Sequence, residues 1–169
     1  DDRVALGVHG VIVEEHPRSY FRRRFNFHFA DDAVDSFRLV NNLGTGTIGF
    51  HSKLFASIDP NKWPRGGMVD IYFSIECKKN LIPMVCINRH SGWLVDLDET
   101  KSTPTLFHEF NEKEALITNE LKLSAPWGFA GIDQVIEVQE PALREKLAKG
   151  LPRFHRAVSV SSCFHRYRA

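Results

Sequence analysis

One stretch constrains this chain more than any other: Arg18-Ser19-Tyr20-Phe21-Arg22-Arg23-Arg24-Phe25-Asn26-Phe27-His28-Phe29. Read two residues at a time, it separates into two sides. Phe21, Arg23, Phe25, Phe27 and Phe29 fall on one side, and Tyr20, Arg22, Arg24, Asn26 and His28 on the other. A period of two over this length predicts a strand with one buried face. The buried side is then aromatic, and the exposed side is cationic with no acid to neutralise it. Such a face suits a polyanion.

The stretch belongs to a chain of 169 residues, enough for a single domain over 1–169 that buries roughly two-thirds of its unfolded surface. Phenylalanine is frequent, at 13 residues, which favours sheets with aromatic inner faces. The net charge of +1 does not by itself announce a nucleic-acid partner, but the charge is segregated. Four arginines without an acid lie between Arg18 and Phe29. Between Leu94 and Glu140 ten acids face only Lys101, Lys113 and Lys122. From Arg144 onward seven lysines and arginines face only Glu145, and residues 154–169 form a basic C-terminal tail.

The remaining elements follow from alternation and turn chemistry. Val4 to Val13 reads as a strand, paired as a hairpin with the basic strand through Glu14-Glu15-His16-Pro17. Phe37 to Val40 is a further strand. Asn41 to Gly46 reads as a turn whose Gly44-Thr45-Gly46 lacks the third glycine of a nucleotide loop. A half-buried strand spans Ile48 to Ile58, and Asp59 to Gly67 is a loop. Met68 to Lys79 alternates most cleanly of all and predicts a strand that turns at Lys79-Asn80 into its partner, Leu81 to Asn88. Pro83 predicts an edge position for that partner. Trp93 to Asp98 is another strand, and Leu106 to Ser124 fits either a helix or a strand. Ala125 to Gly128 is a turn, and Val135 to Val138 closes the strands. An amphipathic helix then begins near Pro141 and carries Leu143, Leu147, Leu151 and Phe154. The fold class is therefore α+β, mostly antiparallel, with a C-terminal amphipathic helix.

Catalytic signatures are sparse. The chain has no G-x-S-x-G, no H-E-x-x-H and no phosphate loop. Asp96 with Asp98, and more weakly His108 with Glu109, are the carboxylate sites a metal or acid/base enzyme would use, against the plainer reading of a solvated strand end. No metal-ligand spacing occurs among Cys77, Cys86 and Cys163, and the first two are expected to be buried thiols. No cofactor or metal is expected, and the chain reads as a binding protein rather than an enzyme. Trp63, beside Lys62 and Arg65, either stacks an unpaired base or plugs the end of a sheet. Trp63, Trp93 and Trp127 are the anchors a β-sandwich binding protein or carbohydrate would use. For a polyanion, Arg18, Arg22 and Arg24 are the phosphate contacts, and Tyr20 and His28 the groups that stack bases or bond ribose. The opposing reading has Arg22 and Arg24 paired with acids from the middle of the chain, which cancels the field.

The hairpin VALGVHGVIVEEHPRSYFRRRFNFHF, the later strand pairs and the ending DQVIEVQEPALREKL, a strand running into an amphipathic helix, resemble the kinetoplastid mitochondrial guide-RNA-binding proteins of the Whirly fold. The resemblance spans roughly Val4 to Val158 and rests on element order and basic strand faces. It implies two packed four-stranded sheets and a hetero-oligomer with a related chain. It also implies backbone binding of guide RNA with little sequence preference, and promotion of RNA annealing during mitochondrial RNA editing. The positions it carries over are Arg22, Arg24 and His28 on the strand face, with Lys53 and Lys78 on neighbouring strands. Arg153 and Arg156 extend that surface from the tail. No membrane span is expected.

Overall fold

The computed structural model describes residues 3–30, 33–95 and 114–128. The expected strand at Val135–Val138, the helix after Pro141 and the tail 154–169 lie outside the described residues, as do Asp96, Asp98, His108, Glu109 and Cys163. What is described is a mixed α+β unit with two sheets. The first sheet holds β1 (Ala5–Gly7), β4 (Arg38–Val40), β6 (Ile48–Phe50) and β7 (Met84–Cys86), in the order β4-β7-β1-β6. All its pairings are antiparallel except β1 with β7. The second holds β2 (Gly10–Val13), β3 (Arg24–Phe27) and β5 (Asn42–Leu43), in the order β3-β2-β5, antiparallel throughout. Among the described residues the sheets thus have four and three strands, not four each.

The predicted strand over Val4–Val13 is two strands in different sheets, and the chain crosses between them at Val8-His9. The flanking glycines allow this close approach. A Cβ at Gly7 would stand 2.7 Å from Leu43 Cδ2, and one at Gly10 would stand 2.8 Å from Cys86 Cβ. The expected hairpin of β2 with β3 is present, with Ile12 opposite Phe25 and Val13 opposite Arg24.

The largest correction concerns Met68 to Lys79. It is a helix, α1 (Val69–Lys79), and its predicted strand pairing through Lys79-Asn80 does not exist. The alternation of Val69, Ile71, Phe73, Ile75 and Cys77 misleads because the helix is buried on several sides, with Tyr72 and Ser74 also inside. Phe73 and Cys77 join the core lined by Ala5, Met84 and Cys86, whereas Ile71, Tyr72 and Ile75 join a second core around Val11, Val13 and Trp127. A helix wedged between two cores has no single polar face to set its period. Its helical signals are at its ends: Asp70 in the first turn and Lys78 and Lys79 in the last, where each sign suits the macrodipole.

Beyond α1 the chain turns through a Schellman arrangement. Ile82 N–H donates to Cys77 O at 2.8 Å and Leu81 N–H to Lys78 O at 3.1 Å, with Leu81 in the left-handed region at φ 51°. The strand that follows is interior, between β4 and β1, contrary to the edge position predicted from Pro83. Pro83 precedes β7, so its missing N–H breaks no ladder bond, and its carbonyl accepts from Ala5 N–H at 2.9 Å.

Other segments depart in smaller ways. Ile48–Ile58 is a strand only to Phe50 and continues as a short 3-10 helix, Ser52–Ala56. Asn41–Gly46, expected as a turn, contains β5. Residues 93–95 form no strand. The ambiguous Leu106–Ser124 resolves from Glu114 as helix α2 (Glu114–Leu123). No helix among the described residues is long and apolar enough to cross a membrane.

Candidate nucleic-acid interface

The basic stretch is a turn followed by a strand, not one strand. Residues 20–22 form a turn, and pairing begins only at Arg24. Tyr20 explains the break. Expected to be exposed, it is 7% exposed and packs with Val13, Ile71 and Trp127. Its hydroxyl donates to Asn42 Oδ1 at 3.2 Å, and its backbone N–H donates to Thr118 Oγ1 at 3.2 Å. Burial pushes its phenol up to about 12, the nearby Arg24 charge opposing the shift. The turn around this anchor is closed by Glu114 from the first turn of α2. Glu114 Oε1 accepts from Ser19 Oγ and, at 3.2 Å, from Phe21 N–H. These bonds, the Ser19 hydroxyl first, hold the Glu114 carboxyl below its ordinary range, with Arg22 adding its charge.

The register of β3 overturns part of the expected sidedness. Arg24 and Asn26 stand opposite Val13 and Val11, and so on the side of the α1–Trp127 core. Phe25 and Phe27 stand opposite Ile12 and Gly10. The alternation was sound, but both sides of this small sheet are partly covered, so it could not say which face meets water. Arg24 is half-buried, its guanidinium carbon 4.4 Å from the Tyr20 ring centre and 5.0 Å from that of Phe21. That contact makes it a clamp on the turn. Phe25, expected inside, is 62% exposed, while Phe27 packs against the four-stranded core.

The charges available at the surface are Arg18, Arg22 and Arg23, all exposed. Arg23 pairs with Glu14 at 3.3 Å, where both side chains remain substantially solvated. The opposing reading is therefore realised in part: Arg22 lies in the field of Glu114, Arg23 is paired, and Arg24 is spent on aromatic rings. His28 is half-buried beside His9, with ring centres 5.5 Å apart, and its carbonyl accepts from Arg89 Nη2 at 2.7 Å.

The two lysines carried over from neighbouring strands are not on strands. Lys53 is exposed on the 3-10 helix Ser52–Ala56. Lys78 is in the last turn of α1, where Nζ donates to Ser124 O and stands 5.5 Å from the Trp127 ring. Burial, then Lys79, lowers the Lys78 ammonium below its usual range. Arg153 and Arg156 lie outside the described residues.

Of the tryptophan anchors, Trp127 is 1% exposed and its indole N–H donates to Leu121 O at 2.7 Å, so it is a core residue. Trp63 is half-buried and packs against both cores. Trp93 is 43% exposed. Cys77 and Cys86 are buried free thiols, as expected, and burial raises both above the usual thiol range. Among the described residues, no three of His, Cys, Asp and Glu gather as a metal would need.

Two features escaped the sequence reading. Arg89 is a buried cation whose Nη2 also donates to Phe27 O at 3.3 Å, so it ties the end of β3 to the body of the protein. Asn41 and Asn42 form a buried polar hub. The Asn41 side chain accepts from Val13 N–H at 2.8 Å and donates to Val13 O and Trp127 O. Asn42 donates to Ser74 Oγ at 3.0 Å and Asp70 O at 3.1 Å. An Asn-Asn pair before Gly44 is an ordinary turn signal, and only tertiary contacts distinguish it from a buried one. No protein-family model matches this chain, and no curated protein matches it.

Proposed function

We propose that this protein binds RNA through its phosphate backbone, with the turn and strand at residues 18–27 as the contact surface. The observation that carries the reading is the exposure of Arg18, Arg22 and Arg23 on a turn whose centre, Tyr20, is buried and hydrogen-bonded. A guanidinium on an anchored turn loses less conformational freedom on meeting a phosphate than one on a loose loop. Each phosphate neutralised releases counterions, which makes binding salt-dependent and indifferent to sequence.

The finer reading is a Whirly-type protein whose C-terminal helix packs beside its sheets. In it the chain works in a hetero-oligomer with a related chain, holds guide RNA and promotes RNA–RNA annealing in mitochondrial RNA editing. Support for this is the β2–β3 hairpin, one of the features on which the resemblance rests, together with the two mostly antiparallel sheets. Annealing follows from electrostatics: neutralising phosphates lowers the repulsion between two strands. A net charge of +1 gives one chain a modest field, and a more basic partner chain would supply the rest.

The test is binding to a short labelled RNA across a salt series, with and without candidate partner chains. Affinity that falls steeply on a log–log plot is expected. Salt-insensitive binding, or no binding at low salt in any assembly, would contradict the reading.

A further inference from the structure

We propose that Phe25 is a stacking platform for an unpaired base, so that the ligand of the basic turn is single-stranded rather than duplex RNA. This rests on the RNA-binding reading above and names the class of RNA.

Phe25 is 62% exposed although it lies within a strand. Its ring is nevertheless held. It meets the edge of Phe27 at a centroid distance of 4.8 Å and an interplanar angle of 67°, and Phe27 is itself packed against the four-stranded core. An aromatic side chain supported from one side offers an oriented π-face at little entropic cost. β3 is the outer strand of its sheet, in the order β3-β2-β5, so approach to Phe25 is not blocked by a further strand among the described residues.

The setting has the right charge. Arg23 lies two residues before Phe25, at the junction of the turn and β3. Its side chain remains 53% exposed despite the Glu14 pair. Arg22 and Arg18 continue the cationic run into the turn. A base on Phe25 with its phosphates toward these groups uses both halves of the surface, and stacking of this kind tolerates any base. Bases in a duplex are already stacked on one another and present only their edges and phosphates. A lone ring on a strand can therefore select for unpaired RNA. Tyr20, the aromatic first expected to stack, is buried and bonded to Asn42.

The experiment compares three probes of equal phosphate number: oligouridine, an abasic ribose-phosphate oligomer and an RNA duplex. Each is titrated at several salt concentrations against the wild-type chain, Phe25→Leu and Phe25→Trp. The expected result is that Phe25→Leu weakens oligouridine binding roughly tenfold, leaves the abasic and duplex probes unchanged and keeps the salt slope. Phe25→Trp should hold or improve oligouridine binding. Equal wild-type affinity for oligouridine and the abasic probe, both salt-dependent, would overturn the stacking inference and leave phosphate binding intact. No binding of any probe would remove both. A change of assembly state with Phe25→Leu in sedimentation would assign Phe25 to a subunit contact instead, which also overturns the proposal.

Discussion

Tyr20 carries more of the local structure than any arginine beside it. Its hydroxyl, its amide and its ring each have a partner, on β5, α2 and Arg24 respectively. Because burial raises its pKa from 10.0 to about 12, the neutral phenol is favoured in the folded state. The associated stability is whole below pH 10 and is lost as pH rises through the folded value, amounting to roughly 2–3 kcal/mol at most. Urea midpoints measured from pH 8 to pH 11.5 should therefore fall, and Tyr20→Phe should flatten the fall at the cost of about 1 kcal/mol at neutral pH. A variant that leaves the alkaline slope unchanged would assign that loss to other groups, the two buried thiols among them. Asn41 is the second residue of this kind. Asn41→Ala strands Val13 N–H, Val13 O and Trp127 O, and chemical denaturation should register a loss of about 3 kcal/mol.

At the scale of elements, the legible parts were those whose signal is local. The β2–β3 hairpin, β4 and β7 were read from β-branched runs and turn residues, and each is present. α1 was not legible because its buried side chains divide between two cores, and an all-round buried helix can mimic alternation. The exposed face of β3 was not legible either: Phe25 and Phe27 look alike in sequence, and only position within the sheet separates them. Leu81 illustrates a local conflict that structure tolerates. A leucine in the left-handed region is strained, so Leu81→Gly should raise stability by about 0.5–1 kcal/mol in urea titration. No change would mean that its half-exposed side chain offsets the strain.

The docking of α2 on the basic turn is also an element-scale contact, and it is acid-sensitive. Glu114 has its pKa lowered from 4.5, chiefly by the Ser19 hydroxyl. Its contribution is present above pH 4.5 and is lost as pH falls through the depressed folded value. Proteolysis or hydrogen exchange across the 18–22 turn should therefore increase as pH falls below 4.5, and Glu114→Gln should make that turn labile already at neutral pH. Unchanged protection in the Gln variant would contradict the role given to this carboxylate.

At the scale of the whole molecule, a two-sheet body fixes a short cationic turn and an adjacent aromatic on one outer strand. Arg18 and Arg22 face outward as the sequence indicates, and so does Phe25, which it placed inside, while Tyr20, Arg24 and Lys78, expected outside, are committed to internal contacts. The difference is measurable. The salt dependence of RNA binding should be compared between the wild-type chain, Arg18→Ala/Arg22→Ala and Lys78→Ala. With two phosphate contacts removed, the magnitude of the log–log slope should fall by about 1.4 in the arginine variant and remain unchanged in the lysine variant. An arginine variant with the wild-type slope, or a lysine variant with the larger loss, would contradict the assignment of the basic turn as the RNA-binding surface.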